Sequence, residues 1–182
     1  MTNTNNRKKV SLPVLVIILG AVIMLTTLFM PYATAIGENA ESLKSAADNV
    51  IYEDLNIRAE DMINISMFDY ARIYANMGDI IFGSASYGYL YAVFVSLIGL
   101  SALFSILFSV LKKPVGVIIF NLFALLVFYA QKWDYTDRRV IPSSSYDWGF
   151  AVTVFYIAFA VILIGAVWLV VSKKSEKKQL TE

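Results

Sequence analysis

The chain has 182 residues, of which 58% are apolar, and a net charge of +1 with neither histidine nor cysteine. Soluble domains average about 45–50% apolar residues, so the excess has to be explained by particular segments. The absence of histidine removes the most common general base and transition-metal ligand. Without cysteine, an outer segment of the protein needs no oxidising folding pathway.

Four long apolar runs account for the excess and predict four membrane-spanning helices. The predicted spans are residues 12–32, 87–111, 115–131 and 148–171. A helix rises about 1.5 Å per residue, so runs of this length match a hydrocarbon layer about 30 Å thick. The remaining residues are too few to wrap four helices that are apolar all round, which argues against a soluble protein. The sequence therefore predicts an all-α integral membrane protein, a four-transmembrane-helix bundle.

Basic and acidic residues divide unevenly among the segments between the spans. The tail 1–11, the turn 112–114 and the tail 172–182 are rich in lysine or arginine, whereas residues 33–86 carry nine acids against three bases. Cytoplasmic flanks of membrane spans are enriched in lysine and arginine. We therefore expect both termini and the turn in the cytoplasm, with residues 33–86 as an extracytoplasmic domain and 132–147 as an extracytoplasmic loop.

The first span is followed by Ala33-Thr34-Ala35, which fits the small-residue pattern of a signal-peptide cleavage site. The apolar run before it is about 19 residues long, more than the 7–15 of a typical signal peptide and enough to span a bilayer. A cleaved signal and an uncleaved anchor both remain open, and the length favours the anchor. Cleavage would leave three spans without changing their orientation.

Residues 33–86 are the one segment expected to form a folded domain outside the membrane. Apolar residues recur at helical spacing among charged ones over residues 38–51, which predicts an amphipathic helix. Alternation of apolar and polar residues over 54–58 and 62–66 predicts two short strands and a small β-hairpin. We expect this outer domain to be mostly helical.

A second amphipathic helix is predicted from Met67 to Phe82. Ser66 fits an N-cap, and Asp69 three residues later gives an imperfect capping box. An apolar and aromatic stripe follows at steps of three and four residues: Met67, Tyr70, Tyr74, Met77 and Ile81. This stripe either packs on the rest of the outer segment or on lipid headgroups, or it forms a partner-facing groove.

Small and polar residues inside the spans predict close helix packing. The candidates are Ser101, Ser105 and Ser109 in the second span, Asn121 in the third and Gly165 in the fourth. Small residues let helices approach closely, and hydroxyl or amide groups bond across the contact. A serine-lined permeation path is the alternative for the second span.

Aromatic and charged residues mark the two membrane surfaces. The predicted interface anchors are Trp133, Tyr135, Tyr146 and Trp148 on the outer side and Lys112 and Lys113 on the inner side. Aromatic belts of this kind lie at the level of the headgroups. Arg138 or Arg139 is expected to pair with an acid of the outer domain and so dock the two outer segments together, and a ligand carboxylate or phosphate is the alternative partner.

Three short motifs carry a resemblance to a known group of proteins: K-K-P (Lys112–Pro114), D-R-R-V-I-P-S-S-S-Y-D-W-G (Asp137–Gly149) and M-P-Y-A-T-A (Met30–Ala35). With them, the chain resembles small four-span membrane proteins of Gram-positive bacteria over nearly its whole length. The resemblance implies a bacterial plasma membrane and supplies no catalytic residues. In outline the chain is also similar to claudins and other tetraspan proteins, although the claudin pattern W-…-G-L-W-…-C-…-C is absent.

The spans contain no ionisable side chain between their charged or aromatic ends. Intramembrane aspartyl proteolysis needs paired acids there, and ion-coupled carriers normally keep ionisable groups there. The acidic pairs Glu53-Asp54 and Glu60-Asp61 lack the regular spacing of a calcium loop.

We therefore expect a non-enzymatic protein with a binding, assembly or accessory role, without cofactor, metal or nucleic acid. Its partners would be the lipid bilayer and another membrane or extracellular protein, and the sequence leaves its oligomeric state open. An oligomeric channel or small transporter is the alternative, and a carboxylate- or metal-dependent membrane enzyme is the third.

Overall fold

The structure, a computed structural model, describes residues 11–179, which form six α-helices and two small sheets. The helices are α1 (Leu12–Thr27), α2 (Gly37–Ser45), α3 (Met67–Phe82), α4 (Ala85–Val110), α5 (Pro114–Asp137) and α6 (Ala151–Gln179). The strands are β1 (Pro31–Ala35), β2 (Val50–Tyr52), β3 (Ile57–Arg58), β4 (Asn64–Ser66) and β5 (Tyr146–Trp148), with a 3-10 turn at Glu53–Leu55. The basic residues predicted in the N-terminal tail, Arg7, Lys8 and Lys9, lie outside the described residues.

Three helices are long and apolar enough to cross a membrane. They comprise Ser86–Val110 of α4, Pro114–Asp137 of α5 and Ala151–Ser175 of α6. The first predicted span is also an apolar helix, but α1 has 16 residues and is therefore only about 24 Å long. It ends at Thr27 and not at residue 32, because Pro31 already belongs to β1. The chain is a mostly helical membrane-embedded protein with three long apolar helices and a shorter fourth one.

The short helix α1 and the outer helix α3 together cover one side of α4. Gly99 of α4 faces Leu28 at the end of α1, and the Phe68 N–H of α3 donates to the Leu28 carbonyl at 3.0 Å. The rings of Phe29 and Phe68 pack with their centroids 5.2 Å apart. Since α4 has 26 residues against 16 in α1, its outer part extends beyond α1 and packs against α3 instead.

The central strand β1 joins segments that are far apart in sequence. It pairs antiparallel with β4 on one side and β5 on the other, so the sheet order is β4-β1-β5, while β2 pairs with β3. Ala33 and Ala35, part of the candidate cleavage motif, are buried in β1. We refer to residues 28–84 together with 138–148 as the cap.

The cap corrects two expectations about the outer domain. The predicted strands at residues 54–58 and 62–66 are shorter and belong to different sheets, so they do not form a hairpin with each other. Helix nevertheless remains the main structure of residues 33–86, because α2 and α3 contain more of them than the strands do. The amphipathic helix predicted over 38–51 ends at Ser45, because a turn follows and β2 starts at Val50.

Helix α3 matches its predicted bounds, Met67–Phe82. The Ser66 hydroxyl accepts from the Asp69 N–H at 3.0 Å, and the Asp69 carboxylate accepts from the Ser66 N–H at 3.3 Å, which completes the capping box. The helix ends at Gly83, whose φ of 67° lies in the left-handed region that glycine adopts without strain. This prediction is confirmed.

The membrane-embedded helices pack through the small and polar residues singled out in the sequence. A Cβ on Gly165 of α6 would lie 2.8 Å from Ile17 Cγ1 of α1, so the two helices meet closely there. Asn121 Nδ2 donates to the Phe159 carbonyl of α6 at 3.0 Å, which joins α5 to α6. The bundle is therefore held by close contact and by one amide that bonds between helices.

We predict that Gly88→Ala destabilises the packing of the cap on α4, whereas Gly99→Ala on the same helix does not. A Cβ on Gly88 would collide with the backbone carbonyl of Tyr74 in α3, but a Cβ on Gly99 would meet only side-chain atoms at ordinary contact distance, Leu28 Cδ1 at 3.5 Å and Leu25 Cδ2 at 4.0 Å. Overpacking of this kind costs about 1–3 kcal/mol, while alanine at an uncrowded helical position gains up to about 1 kcal/mol. The unfolding midpoint of the detergent-solubilised protein should fall for the first variant only; equal midpoints would contradict the packing of α3 on α4.

Candidate functional site

Arg138 lies directly after α5 and pairs with Asp134 on the last turn of that helix. Its Nη2 and Nε atoms donate to Asp134 Oδ2 at 2.8 and 3.1 Å. The Tyr91 hydroxyl of α4 connects both side chains, since it accepts from Arg138 Nη2 and donates to the Asp134 carboxylate. The cation also lies at the C-terminal end of α5, where the helix dipole favours positive charge.

Four aromatic rings surround the Arg138 guanidinium. Its Cζ atom lies 5.0 Å from the ring centroid of Phe82, 5.3 Å from Tyr91, 5.7 Å from Tyr135 and 5.8 Å from Tyr74. Cation–π contacts contribute about 0.5–2 kcal/mol each, depending on exposure. The rings come from α3, α4 and α5, so one side chain joins the cap to two helices of the bundle. We call these rings together with Arg138 and Asp134 the arginine cluster.

A cleft opens to solvent beside the arginine cluster. Its volume is about 290 Å³, and it is lined by Phe82, Tyr87, Leu90, Tyr91, Asp134 and Arg138. The side chains of Arg138 and Asp134 are 29% and 31% exposed. The ion pair of Arg138 and Asp134 therefore faces the cleft. Because each side chain neutralises the other, the pair acts first as a structural contact between helices and not as a ligand-binding site.

The predicted partner of Arg138 needs correction. We expected an acid of residues 33–86, but the observed partner is Asp134, four residues earlier in the same segment. The docking of the two outer segments is nevertheless observed, because the guanidinium packs on Tyr74 and Phe82 of the cap helix α3. Sequence reasoning missed Asp134 because residues 132–137 were assigned to a loop, whereas they continue α5. A helix predicted through residue 137 would have placed Asp134 and Arg138 four residues apart, a spacing at which helical side chains interact.

The predicted interface aromatics occupy different environments. Trp133 is 63% exposed, in agreement with a position at the membrane surface, but Tyr135 is fully buried in the core. Tyr146 donates through its hydroxyl to the Met62 carbonyl at 2.9 Å. Trp148 packs edge-on against Tyr32, with ring centroids 5.3 Å apart. Tyr146 and Trp148 therefore hold the second outer segment to the first part of the cap, residues 28–84.

The stripe on α3 is mostly internal. Met67, Tyr70 and Tyr74 are between 0% and 6% exposed, whereas Ile81 is 43% exposed and Met77 is intermediate. The first three residues therefore pack within the protein, which leaves no partner-facing groove on that part of the stripe.

Burial keeps two tyrosines of this stripe neutral. Desolvation raises the pKa of Tyr70 and of Tyr74, and the nearby Arg138 charge lowers the pKa of Tyr74 by less than burial raises it. Both phenols are therefore uncharged at neutral pH, as their packing against aromatic neighbours requires.

The expectation that the hydroxyls of the predicted packing serines bond across a helix contact is wrong, because they turn back onto their own helix. Ser101 donates to the Leu97 carbonyl at 2.6 Å, Ser105 to the Ser101 carbonyl at 2.9 Å and Ser109 to the Ile106 carbonyl at 2.7 Å. All three are at most 2% exposed. Buried, internally bonded hydroxyls are those of a packed helix face.

Residues 36–56 form a strongly acidic, exposed part of the cap, which we call the acidic arm. Its acids are Glu38, Glu41, Asp48, Glu53 and Asp54, against the single base Lys44. All five acids are exposed, and none forms an ion pair with another residue of the described range 11–179. Helix α2 buries none of its residues, and Val50 and Ile51 are 47% and 42% exposed. The arm thus presents carboxylates beside apolar surface.

The acidic arm is attached to the rest of the cap by specific bonds. Asn39 Nδ2 donates to the Ser145 carbonyl at 3.1 Å, and Arg72 Nη2 donates to the Leu55 carbonyl at 3.2 Å. These contacts fix the arm to the second outer segment and to α3. Within residues 11–179, no three acids converge as a metal site would require.

Comparison with protein-family models, curated proteins and solved structures finds no match for this chain. The resemblance to small four-span proteins of Gram-positive bacteria therefore stays a prediction, and function has to be inferred from the geometry described above.

We predict that Arg138→Lys loosens the cap, although it keeps the charge. Lysine cannot reproduce the planar stacking or the two donors aimed at Asp134, so the variant should lose about 1–3 kcal/mol of stability. The matched control is Arg139→Lys, because Arg139 is exposed and its side chain makes no hydrogen bond within the described residues. Thermal unfolding and protease sensitivity of the cap measure the effect. Identical results for the two variants would contradict a stabilising role of Arg138 between the cap and the bundle.

Proposed function

We propose that the protein is a four-span protein of a bacterial plasma membrane, with both termini in the cytoplasm and the cap outside. The charge distribution supports this orientation, since Lys112, Lys113, Lys173 and Lys174 lie at the end of the bundle opposite the acidic cap. The turn after α1 extends its apolar path to Met30, about 28 Å from Leu12 if the rise remains helical. The burial of the Ala33–Ala35 motif supports an uncleaved anchor.

We further propose that the cap is a binding platform for a basic surface of another membrane or extracellular protein. The observation that carries this proposal is the acidic arm, whose five exposed acids have no ion-pair partner within the described residues. Complementary charge guides a basic partner toward the arm during encounter and favours it over other partners. The apolar residues Val50 and Ile51 add surface that such an interface can bury. The arginine cluster supports the same role, because it holds the cap in a fixed position on the bundle.

A channel within a single chain has less support. The centre of the bundle is filled by side chains such as Ile98, Phe128, Phe155 and Ile162, each 0% exposed. Phe128 and Phe155 stack with their ring centroids 3.8 Å apart. A permeation path would therefore have to lie between copies of the chain.

Photocrosslinking tests the platform directly. A photoreactive residue at Ser42, within the acidic arm, should give a discrete adduct with the partner in intact cells, and one at Asn76 on α3 should not. Both positions are exposed. The Ser42 adduct should weaken at high ionic strength, because salt screens exposed charges beyond about 10 Å at 0.1 M.

Two neutralised variants with the same change in charge separate the arm from the rest of the cap. Glu38→Gln/Glu41→Gln/Asp54→Asn should abolish the adduct, whereas Glu60→Gln/Asp61→Asn/Asp79→Asn should leave it unchanged. An adduct that survives the first triple variant, or is lost equally in both, would rule out the arm as the docking surface.

A further inference from the structure

The end of the bundle opposite the cap carries a dense group of lysines. Lys112 and Lys113 form the bend between α4 and α5, and Lys173 and Lys174 lie on the last turns of α6. Lys173 Nζ donates to the Lys112 carbonyl at 2.8 Å, so α6 is bonded to the bend. The two pairs are thereby brought to one small surface.

Among the side chains that the structure describes, no acid lies at the same end of the bundle as these lysines. Between Lys112 and Lys174 the only acids are Asp134, Asp137 and Asp147, and all lie at the cap end. Glu176 follows two residues after Lys174, but Lys177 and Lys178 come directly after it. The N-terminus of α5, at Pro114, adds the positive end of a 24-residue helix.

An apolar cleft lies directly beside this positive surface. Its volume is about 220 Å³, and it is lined by Pro114, Val115, Val170, Lys173 and Lys174. It runs between the start of α5 and the end of α6. Val115 is 65% exposed and therefore available for contact with a hydrocarbon chain. The lining thus combines two lysines, Lys173 and Lys174, with the apolar residues Pro114, Val115 and Val170.

We propose that this cleft binds an anionic phospholipid, with the phosphate group at the lysines and an acyl chain along Val115 and Val170. A membrane lipid combines the two chemistries that the surface offers, a negative headgroup and a hydrocarbon chain. Each lysine or arginine near an anionic membrane surface contributes about 1 kcal/mol, or roughly fivefold in affinity. The bound lipid fills the space between α5 and α6 and tethers the bend to the end of α6.

The substitution Val167→Trp provides a reporter for this site. Val167 lies on α6 three residues before Val170 and seven before Lys174, so it shares their face of the helix, and it is 51% exposed. The full chain carrying Val167→Trp, with Trp133→Phe, Trp148→Phe and Trp168→Phe, is reconstituted in phosphatidylcholine bilayers. A small fraction of lipid with brominated chains is then added, either as phosphatidylglycerol or as phosphatidylcholine.

The ratio of quenching of the introduced tryptophan by the two brominated lipids measures the preference for the anionic headgroup. We expect severalfold stronger quenching by phosphatidylglycerol. The preference should fall toward one in Lys113→Gln/Lys174→Gln and stay unchanged in Lys44→Gln/Lys132→Gln, which removes two lysines at the cap end. Lys173 is left intact so that its bond to the bend is preserved.

Three results would overturn the lipid site: equal quenching by both lipids, an undiminished preference in Lys113→Gln/Lys174→Gln, or an equal loss in the control variant. Inorganic phosphate added in excess should leave the quenching ratio unchanged, and displacement by it would assign the site to a free anion instead. The measurement does not depend on a partner for the acidic arm, so its failure and the failure of the proposed function are distinguishable.

Discussion

One guanidinium group, that of Arg138, lies where the cap packs on the bundle. Arg138 needs compensating partners, because a partly buried charge among aromatic rings loses hydration, and Asp134 and Tyr91 provide them. The two rings from α3 then pack on the neutralised pair. The ends of α4 and α5 on this side of the bundle thus form the base on which the cap rests, and α5 contributes to this base because the helix continues to Asp137.

Features that depend on local sequence could be predicted. The capping box at Ser66 and the glycine that ends α3 depend on residues within one or two turns, so the bounds of that helix follow from the sequence. Long uncharged runs likewise predict helices suited to a bilayer, and the amide in the interior of the third run, Asn121, bonds to a neighbouring helix as expected.

Features that depend on distant segments could not be predicted. β1 pairs with β5, more than a hundred residues later, and three-residue strands carry too little alternation to be recognised. Tyr135 has the sequence context of an interface anchor, but it is buried because α5 continues beneath the cap. The sequence shows only that residues 36–56 are rich in acids. The fold shows that these acids are exposed together and form no ion pair within the described residues.

Acids lie at one end of the bundle and lysines at the other, and both proposed binding surfaces depend on the direction in the membrane that we infer from this charge distribution. Because the chain has no cysteine, single cysteines report that direction without background. Asp54→Cys in the acidic arm should react with a membrane-impermeant maleimide in intact cells, and Lys112→Cys at the bend should react only after permeabilisation. The reverse pattern would place the acidic arm in the cytoplasm and contradict an outward-facing platform.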